Sequence, residues 1–139
     1  MAQIKIFGIK EKLNPIKKQL SEVIHSAVVD AFNYPPNKRF HRFFPMNHED
    51  FVYADGRSEA YTIIEISIFE GRMTEAKKQL INLLFQRINE LLGISPQDLE
   101  ITIFETPKQN WGIRGVPGDE LQLNYKVIYE CKKTPFMTS

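Results

Sequence analysis

The sequence predicts an α+β fold: a β-α-β unit present twice, forming a four-stranded mixed sheet with two helices on one face, plus a C-terminal strand. Two observations predict it. The first is a repeat at an offset of 60 residues, which sets Ile16-Lys17-Lys18-Gln19-Leu20 over Ala76-Lys77-Lys78-Gln79-Leu80. The same offset sets Ile4 and Ile6 over Ile64 and Ile66, Val28 over Ile88, Pro36 over Pro96, and Phe44 over Phe104. A period shared by strand, helix and turn positions indicates duplication. The second is that each copy alternates like a strand, then carries a helical stripe, then reads as a strand again. Right-handed crossovers make each copy a parallel strand pair with its helix on one face. Two copies join most simply about a pseudo-two-fold axis, with the first strand of each antiparallel at the centre. The other sheet face, which carries residues such as Ile63, is left needing a cover, and a second subunit is the expected one.

The elements follow in order. Strand 1 spans Gln3 to Gly8, with Ile4 and Ile6 on one face. Asn14-Pro15 starts a helix, since Asn caps and Pro suits the first helical position. Its apolar stripe is Ile16, Leu20, Val23, Ile24, Ala27, Val28 and Ala31. Tyr34-Pro35-Pro36 stops it. Strand 2 follows near Arg39 to Phe44, with Phe40 and Phe43 as burial candidates. The linker from Pro45 to Arg57 is polar and holds the turn signal Asp55-Gly56. Strand 3, Tyr61 to Phe69, alternates Ile64, Ile66 and Ile68 against Glu65 and Ser67. Thr74 caps the second helix, whose buried face is Ala76, Leu80, Leu83, Leu84, Ile88 and Leu91. Ile81 and Phe85 widen that face. Gly93 to Pro96 breaks the helix, and Glu100 to Phe104 is strand 4. Trp111 to Gly118, rich in glycine, is a shaped loop. Leu121 to Tyr129 alternates as a final strand.

At 139 residues the chain is long enough for one sizeable core. Residues 1–130 form the expected single domain, with repeats at 3–44 and 63–104 and a tail at 131–139. Hydrophobic content of 42%, charged content of 25% and a net charge of +1 are those of an ordinary globular protein. Nothing in that balance calls for nucleic acid or an anionic membrane. No apolar run approaches the roughly 20 residues that span a bilayer, and the N-terminus lacks a signal peptide's apolar core. Cys131 is the single cysteine, so no internal disulfide forms. A cytoplasmic location is the simplest expectation.

Few residues carry chemistry. Asn37-Lys38-Arg39-Phe40-His41-Arg42 concentrates cationic groups, which with Arg72 and Arg114 could hold a carboxylate. The alternative is a charged strand edge that resists aggregation. Arg72 follows Gly71 at a strand–helix junction, where a helix N-terminus already attracts anions. Its alternative is a surface pair with Glu70 or Glu75. Trp111, set among glycines, lines a pocket or plugs a core with equal weight. His25, at the edge of the helix-1 stripe, reads as a packed or exposed helix residue rather than a catalyst. His41 and His48 have no further ligand at zinc spacing, so no metal site is expected. There is no phosphate loop and no nucleophile elbow, and no cofactor is implied.

Taken together, the two β-α-β units and three segments resemble the tautomerase superfamily. The segments are Tyr34-Pro35-Pro36-Asn37, Glu70-Gly71-Arg72-x-Thr74-Glu75-x-Lys77 and Asn110-Trp111-Gly112-Ile113-Arg114-Gly115. Within it the chain looks most similar to the malonate semialdehyde decarboxylase-like branch, with the fold of 4-oxalocrotonate tautomerase. The resemblance covers roughly residues 2–118. It implies a homotrimer and proton transfer, or related decarboxylation or hydration, on a small 2-oxo acid or carboxylate. The chemistry of that family depends on an amino-terminal proline, where this chain has Ala2. The aspartate that the decarboxylases carry after the Pro-Pro turn is Lys38 here. Of their two arginines before helix 2, the first is Glu70 and the second is retained as Arg72. Trp111 matches the family tryptophan. The site implied is the Ala2 amine, free only if Met1 is removed, with Lys38, Arg72, Trp111 and Arg114 around the carboxylate. The alternative, favoured by the missing proline, is a non-catalytic member that binds a small anion or serves in assembly.

Overall fold

The computed structural model describes residues 2–121. The expected final strand from Leu121 to Tyr129, Cys131 and the tail lie, apart from Leu121, outside the described residues. Strands β1 (Ala2–Ile9), β2 (His41–Met46), β3 (Thr62–Phe69) and β4 (Leu99–Thr106) form one sheet in the order β2-β1-β3-β4. β1 and β3 are antiparallel at the centre, while β2 and β4 lie parallel to them at the edges. The duplication is visible in the register. Ile4 faces His41 in one copy and Thr62 faces Leu99 in the other, the same spacing of 37 residues. Lys5 lies opposite Glu65, its own mate at the 60-residue offset. The pseudo-two-fold axis therefore passes between them, and the two mates carry opposite charge, which suits a cross-strand pair.

Burial repeats with the same offset. β1 and β3 share one alternating pattern, in which Ile4, Ile6, Ile64, Ile66 and Ile68 are buried against the helices. From the helix side, α2 (Lys17–Phe32) buries Leu20, Ile24 and Val28, and α3 (Thr74–Leu92) buries their mates Leu80, Leu84 and Ile88. A β strand shows one face every second residue and a helix every third or fourth, so these spacings meet only if both elements keep their period.

Helix 1 differs from expectation at its start. A helical turn, α1 (Lys10–Leu13), precedes Asn14, which closes that turn through its backbone N–H instead of capping the long helix with its side chain. A 3₁₀ turn over Asn14–Ile16 then leads into α2. Pro15 is the cause: it has no N–H to continue the ladder, so one helical path breaks into two. Thr74 is likewise the first helical residue and not a side-chain cap; Met73 takes the cap position. Leu91 is exposed, and Leu92 packs against the core in its place. β2 runs two residues later than expected and leaves Phe40 exposed, while Phe43 packs against the core. Pro45 is tolerated in β2 because the strand is an edge.

The linker after β2 is less polar in effect than in composition. Phe51, Tyr53 and Tyr61 fold over Ile9 and Ile63 on the far sheet face, with the Phe51 and Tyr61 rings stacked 5.7 Å apart. Ser58 pins the linker by donating from its N–H and its hydroxyl to the two carboxylate oxygens of Asp98, each at 2.6 Å. The chain thus covers part of the face expected to need a partner. What remains open includes Phe44 and Phe104, offset mates on the two edge strands.

The glycine-rich loop is a small hairpin, β5 (Gly112–Ile113) against β6 (Val116–Pro117). Arg114 and Gly115 form its two-residue turn with φ of 47° and 87°, the positive values that a hairpin turn with the right twist requires. Gly118 admits no side chain, since a Cβ would lie 2.5 Å from the Lys108 carbonyl oxygen.

Candidate active site

The corner where β1 begins, α2 ends and α3 begins gathers Ala2, Phe32, Tyr34 and Arg72. α2 ends at Asn33 in the left-handed conformation, with φ of 49°, a standard way to stop a helix. The turn that follows is held by His25, whose Nε2 donates to the Pro36 carbonyl at 2.7 Å. His25 is buried, the packed one of the two states that its place at the edge of the stripe left open. The turn brings the Tyr34 hydroxyl to 3.3 Å from the backbone nitrogen of Ala2, which donates to it. Burial holds the Tyr34 phenol above its ordinary pKa, opposed by the Ala2 N–H and the Arg72 charge. Tyr34 is accordingly neutral near pH 7 and can donate a proton in a hydrogen bond.

Arg72 enters the same corner from the β3–α3 junction, where Gly71 has φ of 104°. Its side chain does not lie on the surface beside Glu70 or Glu75. It is 5% exposed. The guanidinium donates to the Phe32 carbonyl at 3.4 Å and sits 4.2 Å from the centre of the Phe32 ring. A buried cation needs such contacts to offset lost hydration.

The other expected residues are placed differently. Trp111 stands half-buried and edge-on to Phe69 at 5.1 Å, so it packs against the end of β3, three residues before Arg72. Arg114 is exposed at the hairpin turn. Lys38 is half-buried in the turn after Pro35-Pro36, where its N–H donates to the Pro35 carbonyl at 3.1 Å. Its cationic neighbours are engaged along the strand edge. Arg39 forks onto Glu22 at 2.9 and 3.3 Å, and Arg42 donates to Gln3. This part of the segment is a charged edge. Sequence reading used Tyr34 as a helix stop and as part of the Tyr34-Pro35-Pro36-Asn37 segment, and did not place it beside Ala2. The signal was available, because the helix of a β-α-β unit runs antiparallel to its first strand and so ends beside the start of β1.

Next to this corner, His41 shares a 2.7 Å hydrogen bond with the Ser21 hydroxyl. Its ring centre is 6.0 Å from that of His25. Burial, then the charges of His25 and Arg39, lower its pKa to about 4, with Glu22 opposing. The unfolded chain therefore binds a proton at this residue more readily. Stability from His41 is complete above about pH 6.5 and is lost as pH falls toward 4. Discounted for partial exposure, the loss is about 1–3 kcal/mol. His41→Gln is expected to flatten the slope of stability against pH between 6.5 and 4 in denaturant titrations; a slope equal to wild type would exclude His41 as its source.

Among the described residues no group of His, Cys, Asp and Glu is arranged to hold a metal, and no helix is long and apolar enough to cross a membrane.

Comparison with known proteins agrees with the fold. The model of the family described as Tautomerase enzyme matches residues 38–114, more than half of the chain. The chain is 29% identical over 99 residues to the probable tautomerase YrdN of Bacillus subtilis (strain 168), covering 68% of this chain and 76% of that protein. It is 37% identical over 57 residues to 2-hydroxymuconate tautomerase of Comamonas testosteroni, which covers 41% of this chain but 90% of that one. The latter is thus close in length to one repeat. Among solved structures, malonate semialdehyde decarboxylase superposes with a TM-score of 0.72 at 26% identity, covering 80% of this chain and 89% of that one. Native fused 4-OT superposes with a TM-score of 0.77 at 20% identity, covering 86% and 98%, and shows the shared fold.

Proposed function

The chain belongs to the tautomerase family, and from that premise we propose that it moves a proton next to the carbonyl of a small 2-oxo acid or related carboxylate. One observation carries the reading: the Ala2 nitrogen, the Tyr34 hydroxyl and the buried Arg72 meet in one corner. With Met1 removed, Ala2 has a free α-amine, whose ordinary pKa of about 7.7–8.0 suits a base near neutrality. The amine takes a proton from the carbon beside the carbonyl. Tyr34 donates a hydrogen bond to the developing enolate oxygen. Arg72 holds the substrate carboxylate, with Lys38 and Arg114 adding charge and Trp111 walling the site. A primary amine also condenses with a carbonyl, losing water to form an imine. With Met1 retained, the Ala2 nitrogen is an amide and both routes close.

A second reading is a non-catalytic member that binds a small anion or serves in assembly. It is favoured by Ala2 standing in the proline position and by the 4% exposure of that residue. The two are separated by mass spectrometry of the native N-terminus and by ultraviolet assay of enol-to-keto conversion of a 2-oxo acid. Turnover is expected when Ala2 is terminal, and loss of turnover when one residue precedes it. A melting shift with the acid but no turnover in the Ala2-terminal form would favour the second reading.

The protein acts in this reading as a cytoplasmic homotrimer. Fused 4-OT is described as a trimer in solved structures. Here Phe44 and Phe104 stay exposed on the two edges of the sheet face opposite the helices. Light scattering at micromolar concentration is expected to give three times the chain mass; a monomer would overturn the trimer.

A further inference from the structure

The pseudo-two-fold axis gives the Ala2 corner a mate at the opposite end of the sheet. Moving 60 residues carries Ala2 to Thr62, Phe32 to Leu92, Asn33 to Gly93 and Tyr34 to Ile94. It carries Lys12 to Arg72, so Lys12 is the cation's counterpart at the mate. The two corners are built from equivalent backbone but unequal side chains. At the Ala2 corner stand two large rings, Phe32 and Tyr34, and the inward guanidinium of Arg72. At its mate Leu92, Gly93 and Ile94 are each smaller, and Lys12 is exposed. The difference leaves a cavity of about 170 Å³ among Ile9, Leu13, Tyr61, Ile94 and Lys12.

We propose that this cavity is a second ligand site, for a small carboxylate with a flat or short apolar body. Size sets the body. An apolar cavity of roughly 150 Å³ takes up benzene, and this one is slightly larger. Its floor is apolar, since Ile9, Leu13 and Ile94 are buried there. Charge sets the head group. Lys12 is the one cation among the lining residues, no carboxylate lines the cavity, and no partner for Lys12 occurs among the described residues. The Thr62 hydroxyl is already spent on the Ala60 carbonyl at 2.8 Å. Tyr61 carries the other hydroxyl in the lining, and its phenol is tied to Glu100, so the charged contact of a bound ligand falls on Lys12. The site owes nothing to the Ala2 amine, so it stands or falls apart from the proton-transfer reading.

The test uses the full chain, labelled with ¹⁵N, titrated with benzoate and with neutral benzamide and followed by NMR. Saturable shifts are expected at the amides of Gly8, Lys12 and Gly93, with benzoate bound in preference to benzamide. Lys12→Gln is expected to weaken benzoate about fivefold, the scale of an exposed ion pair, and to leave benzamide unchanged. Leu92→Phe combined with Ile94→Tyr fills the cavity and is expected to abolish binding. Lys12→Gln, at an exposed position, keeps the test decisive if that double variant fails to fold. Arg72→Ala is expected to leave these shifts in place. Shifts confined to Ala2, Tyr34 and Arg72, shifts that do not saturate, or equal affinity for benzoate and benzamide would overturn the proposal.

Discussion

Leu84→Ala is expected to lower the free energy of unfolding by about 2–5 kcal/mol. Leu84 is 0% exposed at the centre of α3, as is its offset mate Ile24 in α2. Both belong to the single core that includes Ile64 and Ile66 of the sheet. Truncation removes methyl groups from a layer closed by helices on one side and sheet on the other, so little can move in to fill the gap. Leu91→Ala is the control, because Leu91 is 65% exposed and should change stability by no more than about 0.5 kcal/mol. Urea titration measures both. An unchanged midpoint and slope for Leu84→Ala would mean that the face of α3 is wrongly assigned.

Arg72→Ala is expected to act twice. Small-carboxylate binding at the Ala2 corner should weaken by about 1.5–3 kcal/mol, the scale of a hydrogen bond to a charged group. Calorimetry with pyruvate-like anions reads this, and equal affinities would remove Arg72 from the site. Sequence reading left Arg72 either as an anion site at the strand–helix junction or in a surface pair with Glu70 or Glu75, and from either position its loss was expected to have little effect on folding. Its burial beneath Phe32 changes that expectation. Truncation leaves the Phe32 carbonyl without this donor and the ring without its cation, costing about 1–3 kcal/mol of stability. Arg72→Lys keeps the charge and loses the planar fork, so it should recover part of each effect. A variant as stable as wild type would show that the inward guanidinium contributes nothing to the fold.

Several features were open to sequence alone because they depend on periodicity. The 60-residue offset, the buried isoleucines of β1 and β3 and the Leu20, Ile24, Val28 stripe follow from which residues recur at intervals of two or of three and four. Strand order and the pseudo-two-fold then follow from connection handedness. Element ends were less legible. Asn14-Pro15 reads equally as a helix start or as a break within a helical path, and only the preceding turn at Lys10–Leu13 decides. Phe40 was a candidate for burial and Leu91 fell on the buried helical stripe, but edge position and the last helical turn expose them.

What the sequence determined by itself was the duplicated architecture and the family, both carried by repeating and contiguous residues. What only the tertiary structure decided was which groups meet at the Ala2 corner. Tyr34 joined Ala2 because a left-handed Asn33 and the His25–Pro36 bond turn the chain there, Arg72 folded inward over Phe32, and the cationic edge was spent on Glu22 and Gln3. Each of these depends on which groups from distant segments compete for one small volume. The linker's aromatic cover depends on the same thing, as does the cavity left where Leu92, Gly93 and Ile94 are too small to fill it. A one-dimensional pattern records the candidates for that volume, and packing in three dimensions selects among them.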